Sequence, residues 1–287
     1  MRRFILTILA LATLLPSLAQ AYEVLILQST RNPAYDEILK GFHSGSSHSE
    51  RMIVLSDYAE TDVVRIVRED RPKLILAVGD AALRATRKLQ TTRIVAVMAL
   101  GIHNRTAAHS NLTGIGMFAP PERYINLFRT MKARHVGIIY NSVKSGWYVQ
   151  MARQAAVAAG IELVTREVST PRETIQQLST LAGKVDALWM LPDSTAVTRE
   201  TTEAYFQFSL QQAVPVISFA ANYLGLGAAV VLEIDRIAMG RQADSLVAAL
   251  LRSDQPDTMP LSFPKGIAIK TNPNVLRHLG SLLNVKE

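Results

Sequence analysis

Short runs of valine, isoleucine and leucine recur along this chain with room for about one helix between successive runs. They are Val24–Leu27, Met52–Leu55, Leu74–Val78, Ile94–Met98, Val136–Tyr140, Ile161–Thr165, Ala187–Leu191 and Val214–Phe219. The runs show little polar alternation, the pattern of parallel strands covered on both faces. Parallel neighbours need crossover connections, usually helical and right-handed. The residues between the runs agree. Thr170-Pro171-Arg172-Glu173 is a helix start, with threonine at the N-cap, proline at N1 and glutamate at N3. Gly160 and Gly183 each close a helical pattern ahead of a strand, where a left-handed residue belongs. The fold class read from this alternation is α/β, built on Rossmann-like, doubly wound parallel sheets.

The alternation runs through two cycles. The first covers Tyr22 to about Phe118, and the second starts at the Ala119-Pro120-Pro121 break, where Pro121 opens a helix over Glu122–Met131. After Ala220 the pattern loosens: Gly225–Val231 is glycine-rich and apolar, Ile234–Leu251 reads as one long helix, and Gly266–Ile269 as a last strand. We therefore expect two lobes joined by hinge strands. Lobe I takes residues 22–118 plus about 225–254, and lobe II takes 119–224 plus about 255–287. A length of 287 residues suits two cores better than one.

Residues 1–21 read as a secretory signal peptide. Arg2 and Arg3 supply a basic start, Phe4–Leu15 an apolar stretch too short to span a bilayer comfortably, and Ala19-Gln20-Ala21 a small-x-small cleavage site. The expected mature chain starts at Tyr22 and lies in the periplasm. With no cysteine in the chain, lipid attachment at a cleavage-site cysteine, disulfides and thiolate metal sites are all excluded. The formal charge is +7, of which Arg2 and Arg3 contribute two, and no basic run exceeds two residues. Scattered cations without interleaved aromatics are not a nucleic-acid surface, so no nucleic-acid partner is expected.

Enzyme motifs are missing. The six histidines, His43, His48, His103, His109, His135 and His278, form no His-Glu-x-x-His or comparable cluster, so no metal site is expected. His43 with His48, and His103 with His109, fall in polar loops and are expected to be solvated. There is neither a Gly-x-Ser-x-Gly elbow nor a Walker loop. Gly114-Ile115-Gly116 and Gly225-Leu226-Gly227 are lone pairs of glycines that imply no dinucleotide.

Five segments carry a family likeness. Asn111-Leu112-Thr113-Gly114-Ile115 looks like an "N-V-T-G" strand entering a second lobe. Val136-Gly137-Ile138-Ile139-Tyr140-Asn141 looks like "V-G-I-L-Y-N", followed by an "A-A-G-I-E-L-V" turn at Ala158–Val164. Leu191-Pro192-Asp193 echoes "P-x-D", Val214-Pro215-Val216 echoes "V-P-V", and Asp235–Ala243 follows "D-x-x-x-x-G-R-Q-A". In order and spacing these resemble the ABC-transporter substrate-binding proteins with the type I periplasmic-binding fold. The chain departs from that pattern in a short first lobe with a serine- and histidine-bearing loop at Gly41–Glu50. It departs again at Val78-Gly79-Asp80, in place of a small hydroxyl cluster, and at Ala99-Leu100-Gly101, in place of an aspartate-proline pair.

The resemblance implies a periplasmic solute-binding component of an ABC importer. Such a protein, a monomer without cofactor or catalysis, captures an amino acid or similar metabolite between its lobes and presents it to an inner-membrane permease. The alternative is a periplasmic sensor or interaction subunit that signals to a receptor or envelope assembly.

The fold supplies candidate site residues independently, because strand carboxyl ends and helix amino ends face the crevice. In lobe I these ends carry Thr30 and Arg31, then Asp80. Arg31 is placed to pair a ligand carboxylate or to sit as a surface cation. Asp80 is placed to take a ligand ammonium or to cap the following helix. Lobe II offers Asn141 and Ser142, Asp193 and Ser194, and Phe219 with Tyr223 close behind. Asp193 shares the ambiguity of Asp80, Asn141 is a hydrogen-bonding candidate, and Trp147, Phe219 and Tyr223 can stack on a flat ligand or pack in the core.

Overall fold

In the computed structural model, which describes residues 22–45, 47–103, 110–253 and 260–279, each of the eight apolar runs overlaps a strand. The first sheet holds β1 (Val24–Gln28), β2 (Glu50–Val54), β3 (Leu74–Val78), β4 (Arg93–Val97) and β5 (Leu112–Gly114). Its order is β2-β1-β3-β4-β5, parallel throughout. β1 and β3 are buried along their whole length. The helices α1 (Pro33–Phe42), α2 (Val63–Asp70) and α3 (Asp80–Ala85) connect these strands.

The second sheet holds β6 (His135–Tyr140), β7 (Glu162–Glu167), β8 (Ala187–Trp189), β9 (Val216–Ser218), β10 (Val230–Ile234) and β11 (Ile267–Thr271). Its order is β11-β10-β9-β8-β6-β7, parallel except for the β10–β11 pair. Around it lie α4 (Pro121–Thr130), α5 (Ser142–Ala158), α6 (Pro171–Ser179), α7 (Arg199–Gln212) and α9 (Pro273–His278), while α8 (Arg236–Arg252) leaves it. Thr170 caps α6 as its sequence predicts, and Gly160 and Gly183 adopt φ of 67° and 69°. Two doubly wound lobes of mainly parallel sheet are thus the architecture.

The lobe boundaries differ from those expected at both late crossings. The stretch 225–254 divides: β10 pairs with β9 through Val230–Ile217 and Val231–Ser218, so it completes the second sheet. Only from Asp235 does the chain cross, and α8 then buries Met239, Ala243, Val247 and Leu250 against Val24, Ile26, Ile38 and Phe42 of lobe I. On the return, Ser262 still belongs to lobe I. Its N–H donates to the Gly114 carbonyl at 3.0 Å, and its carbonyl accepts from Gly116 N–H at 2.9 Å, extending the sheet edge. The chain therefore re-enters lobe II after Ser262 rather than near residue 255.

The α8 motif acquires a physical reading at each position. Asp235 caps the helix by accepting from Ala238 N–H at 2.9 Å. Gly240 lies against α1, where a Cβ would stand 2.0 Å from the Ile38 carbonyl oxygen. Gln242 grips the returning strand: its Nε2 donates to the Phe263 carbonyl at 3.0 Å and its Oε1 accepts from Lys265 N–H at 3.0 Å. Ala243 is fully buried.

In the loop Gly41–Glu50, whose other described residues from His43 onward are exposed, His48 is not the solvated histidine its surroundings suggest. His48 is buried and lies 2.9 Å from the equally buried Asp244 carboxylate of α8, while exposed His43 pairs with Glu50 at 2.8 Å. A carboxylate on the buried face of α8 must find donors, and the loop brings one to it. His48→Ala should therefore cost about 1–3 kcal/mol, read as a lower urea midpoint, whereas His43→Ala should change it by less than about 0.5 kcal/mol.

Among the described residues no helix is long and apolar enough to cross a membrane. The signal-peptide reading falls on residues 1–21, outside the described residues.

Candidate functional site

The carboxyl ends of β1, β3 and β4 meet along one edge of lobe I. Ser29 follows β1; its hydroxyl donates to the Val78 carbonyl at 2.9 Å and accepts from Ala82 N–H at 2.9 Å. It thereby ties β1 to β3 and to the first turn of α3. Gly79 holds φ 92°, and a Cβ there would lie 2.4 Å from the Tyr35 hydroxyl oxygen, so the turn into α3 requires glycine. Burial, with the Asp80 carboxylate nearby, holds the Tyr35 phenol above its ordinary pKa. Met98, just past β4, adopts φ 54°, a left-handed conformation that a methionine rarely takes and that functional edges concentrate.

The Asp80 carboxylate is already engaged by backbone donors. Its Oδ1 accepts from Gly101 N–H at 2.9 Å and its Oδ2 from Leu100 N–H at 3.2 Å. The two segments that depart from the family pattern, Val78-Gly79-Asp80 and Ala99-Leu100-Gly101, are therefore each other's partners.

Lobe II presents the facing edge, and its organising group is Asp193. This side chain is buried, and its two oxygens take four donors: Asn141 N–H at 2.8 Å, the Ser145 hydroxyl, Thr195 N–H at 2.8 Å and Ala196 N–H at 3.0 Å. Asn141 is equally committed. Its Oδ1 caps α5 by accepting from Val143 and Lys144 N–H groups at 3.1 and 3.2 Å, and its Nδ2 donates to the Val168 carbonyl at 2.9 Å. Both are ligand-contact candidates from sequence, and in the structure their polar atoms are engaged by partners within lobe II. A buried carboxylate with no cation beside it must be satisfied by donors from its own fold. Ser142 is exposed in the first turn of α5, and exposed Ser194 accepts from Lys144 Nζ at 2.9 Å.

Between the two edges lies a cavity of about 290 Å³. Lobe I lines it with Asp80, Leu83, Arg84, Arg87, Leu100 and Gly101, lobe II with Lys144, Pro192 and Ser194, and Phe118 comes from the first crossing. Of the residues expected from sequence, Asp80 and Ser194 line it. Thr30 and Arg31 are exposed outside its lining; the Thr30 carbonyl accepts from Gln28 Nε2 at 2.7 Å, and Arg31 is taken by Asp57 at 2.6 Å. Phe219 and Tyr223 pack together, ring centroids 5.2 Å apart, at the margin of the lobe II core. Tyr223 faces a separate cavity of about 760 Å³ beside α7, shared with Phe206 and Leu210. Their place after β9 suggested the crevice, but the 3-10 turn Ala221–Leu226 carries Tyr223 back onto α7.

Arg84, Arg87 and Lys144 escaped the sequence reading. A weak signal existed for two of them: Arg84 stands one helical turn beyond Asp80, and Lys144 lies two residues past Ser142 at a helix start. Trp147, one turn further along α5, packs against Phe118, which lines the cavity. His103 stacks on it at 3.7 Å between centroids, with Phe118 edge-on at 5.2 Å and Phe263 at 6.5 Å. His103, expected to be solvated, is held by this aromatic face; His109 lies outside the described residues. The first and third crossings thus pack on one indole, and Tyr148 adds a hydrogen bond to the Ala119 carbonyl at 2.7 Å. Among the described residues no three histidine, aspartate or glutamate side chains are grouped to hold a metal ion.

Residues 23–286 match the model of a family described as ABC transporter substrate binding protein. A tyrosine-binding protein of Clostridioides difficile (strain R20291) is 23% identical over 276 residues, covering 88% of this chain and 79% of that protein. Among solved structures, the ligand-free, open form of a Clostridium difficile substrate-binding protein with adhesive properties superposes with a TM-score of 0.70. It is 19% identical, with 93% of this chain and 97% of that one covered. A Streptococcus pneumonia ABC domain in complex with L-Trp gives 0.62 at 17% identity, covering 90% and 94%. The fold of these two structures is the fold described above.

Proposed function

Because this chain belongs to the family of ABC transporter substrate-binding proteins, we propose that it is the periplasmic solute-binding component of an ABC importer. It captures a small molecule, an amino acid or a metabolite of similar size, in the cleft between its lobes. The observation that carries this reading is the cavity of about 290 Å³ lined from both lobes and from the first crossing. Its volume lies at the small end of ligand sites. The tyrosine-binding relative and the L-Trp complex support a metabolite of that scale.

The mechanism follows from the geometry. Three crossings join the lobes, around Phe118–Pro120, at Asp235 and between Ser262 and Ile267. A ligand that touches Arg84 on one side and Lys144 on the other gains its full set of contacts only when the lobes approach. It therefore favours the closed state by its difference in affinity for the two states. The closed form is what a membrane permease would receive. No bond is made or broken, so the reading requires neither cofactor nor catalytic group. Delivery to the periplasm would follow from the leader at residues 1–21.

Thermal unfolding of the mature chain against amino acids, nucleosides, sugars and small carboxylates tests the reading. A true ligand at one hundred times its dissociation constant should add about 2.7 kcal/mol and raise the midpoint by a few degrees. The radius of gyration in solution should fall with the same compound. A well-folded protein that responds to no compound by either measurement would rule out capture.

A further inference from the structure

The cleft lining carries three cations and one carboxylate, and the carboxylate is already occupied. Arg84 lies on α3 and Arg87 just past its end, while Lys144 stands in the first turn of α5 on the opposite lobe. Asp80 precedes Arg84 by four residues, the spacing at which an acid normally pairs with a base along a helix. Its two oxygens are turned instead to the N–H groups of Leu100 and Gly101. Among the described residues neither arginine makes an ion pair, and Lys144 donates to a neutral hydroxyl. Elsewhere on lobe I, Arg31, Arg51 and Lys73 each hold an acid.

An amino acid with an uncharged side chain fits such a lining poorly. Its single carboxylate would find cations, but its ammonium would face three like charges and no free acid. Like charges brought together out of water are costly, and their repulsion grows as the lobes exclude solvent. The lining has an excess of two positive charges once Asp80 is counted against the three cations, and a ligand of charge minus two balances it. Arginine suits the task, since its planar fork meets carboxylate and phosphate oxygens in pairs.

We infer that the cleft takes a small dianion, a dicarboxylate or a phosphate monoester. Arg84 and Arg87 hold it on one lobe, and Lys144 meets it from the other as the lobes close. This rests on the capture reading above and names the chemistry of that same site.

Thermal unfolding and calorimetric titration of the mature chain with succinate, glycerol phosphate, tyrosine and leucine, at low and high sodium chloride, test it. Succinate or glycerol phosphate should raise the midpoint by several degrees, less so in high salt, and whichever acts identifies the anion's source. Arg84→Gln combined with Arg87→Gln, and Lys144→Gln separately, should each weaken that binding about tenfold or more. The ligand-free midpoint of both variants should match that of the parent, which keeps loss of fold apart from loss of binding. Stabilisation by tyrosine or leucine, unchanged in both variants, would overturn the dianion and leave capture standing. A dianion shift that survives both variants would also overturn it, by placing the anion outside the cleft. Silence from all four probes and from the wider panel would remove both readings together.

Discussion

Replacing Asp193 with alanine should lower the unfolding free energy by about 3 kcal/mol, because several buried donors lose their common acceptor at about 1–3 kcal/mol for each one left unsatisfied. Asp193 is 2% exposed, and its carboxylate is the acceptor for four donors on two segments. Alanine would leave the N–H groups of Asn141, Thr195 and Ala196 and the Ser145 hydroxyl facing one another around a small void. Each unsatisfied buried donor carries a desolvation cost of its own. Asp193→Asn should recover part of the loss, since one oxygen can still accept while the amide group faces donors. Urea unfolding of the three proteins checks the order aspartate, asparagine, alanine. If Asp193 were a ligand contact, the alanine variant would keep its midpoint and lose only the ligand-induced shift, an outcome that would refute the assignment made here.

The second large effect is expected at the crossing of α1 and α8. A Cβ on Gly240 would lie 2.0 Å from the Ile38 carbonyl oxygen and 2.7 Å from Phe42 N, and one on Gly41 would lie 2.1 Å from the Ile237 carbonyl oxygen. The atoms in the way are backbone, so no side chain can swing aside and the helices must part. Gly240→Ala should therefore destabilise by about 3 kcal/mol, at the upper end of overpacking costs, and Gly41→Ala by a similar amount. Gly225→Ala is the control, because nothing lies within 4 Å of its added methyl, and it should stay within about 0.5 kcal/mol of the parent. Equal urea midpoints for the Gly240 and Gly225 variants would mean that the helices do not cross as described.

These two positions also show what could be read from sequence and what could not. Gly240 and Asp193 both belong to the motifs that suggested the family, and each has a structural task in the fold, one at a helix crossing and one as a buried acceptor. The strand runs were legible because burial on both faces leaves a continuous apolar signature, as in β1 and β3. β10 was not, since Val230 and Val231 follow a glycine-rich stretch and their membership in the second sheet depends on pairing with residues far back in the chain. The candidate site was legible as a place more than as a set of groups. Strand ends located the crevice, and Asp80 and Ser194 do line it. Whether Asn141 and Asp193 face a ligand or each other depends on which donors the fold brings within 3 Å, and spacing carries no such information. The same holds for His48, whose burial is set by an acid on α8 from the other end of the chain. Arg84 carried only the weak mark of its place one turn beyond Asp80, and Arg87 carried none, because what sets both apart is the acid they do not meet.

The path of α8 has a consequence for how the chain is made. Lobe I is begun by the first residues to be synthesised, yet its core cluster includes Met239, Ala243, Val247 and Leu250, which are among the last. Until that helix emerges, Val24, Ile26, Ile38 and Phe42 have no cover on one side, so the earlier-started lobe is the later one to mature. Lobe II can bury most of its sheet beforehand, needing only β11 and α9 from the tail. A nascent chain would therefore expose the unfinished face of lobe I for most of its synthesis, the interval in which a holding chaperone would have something to grip.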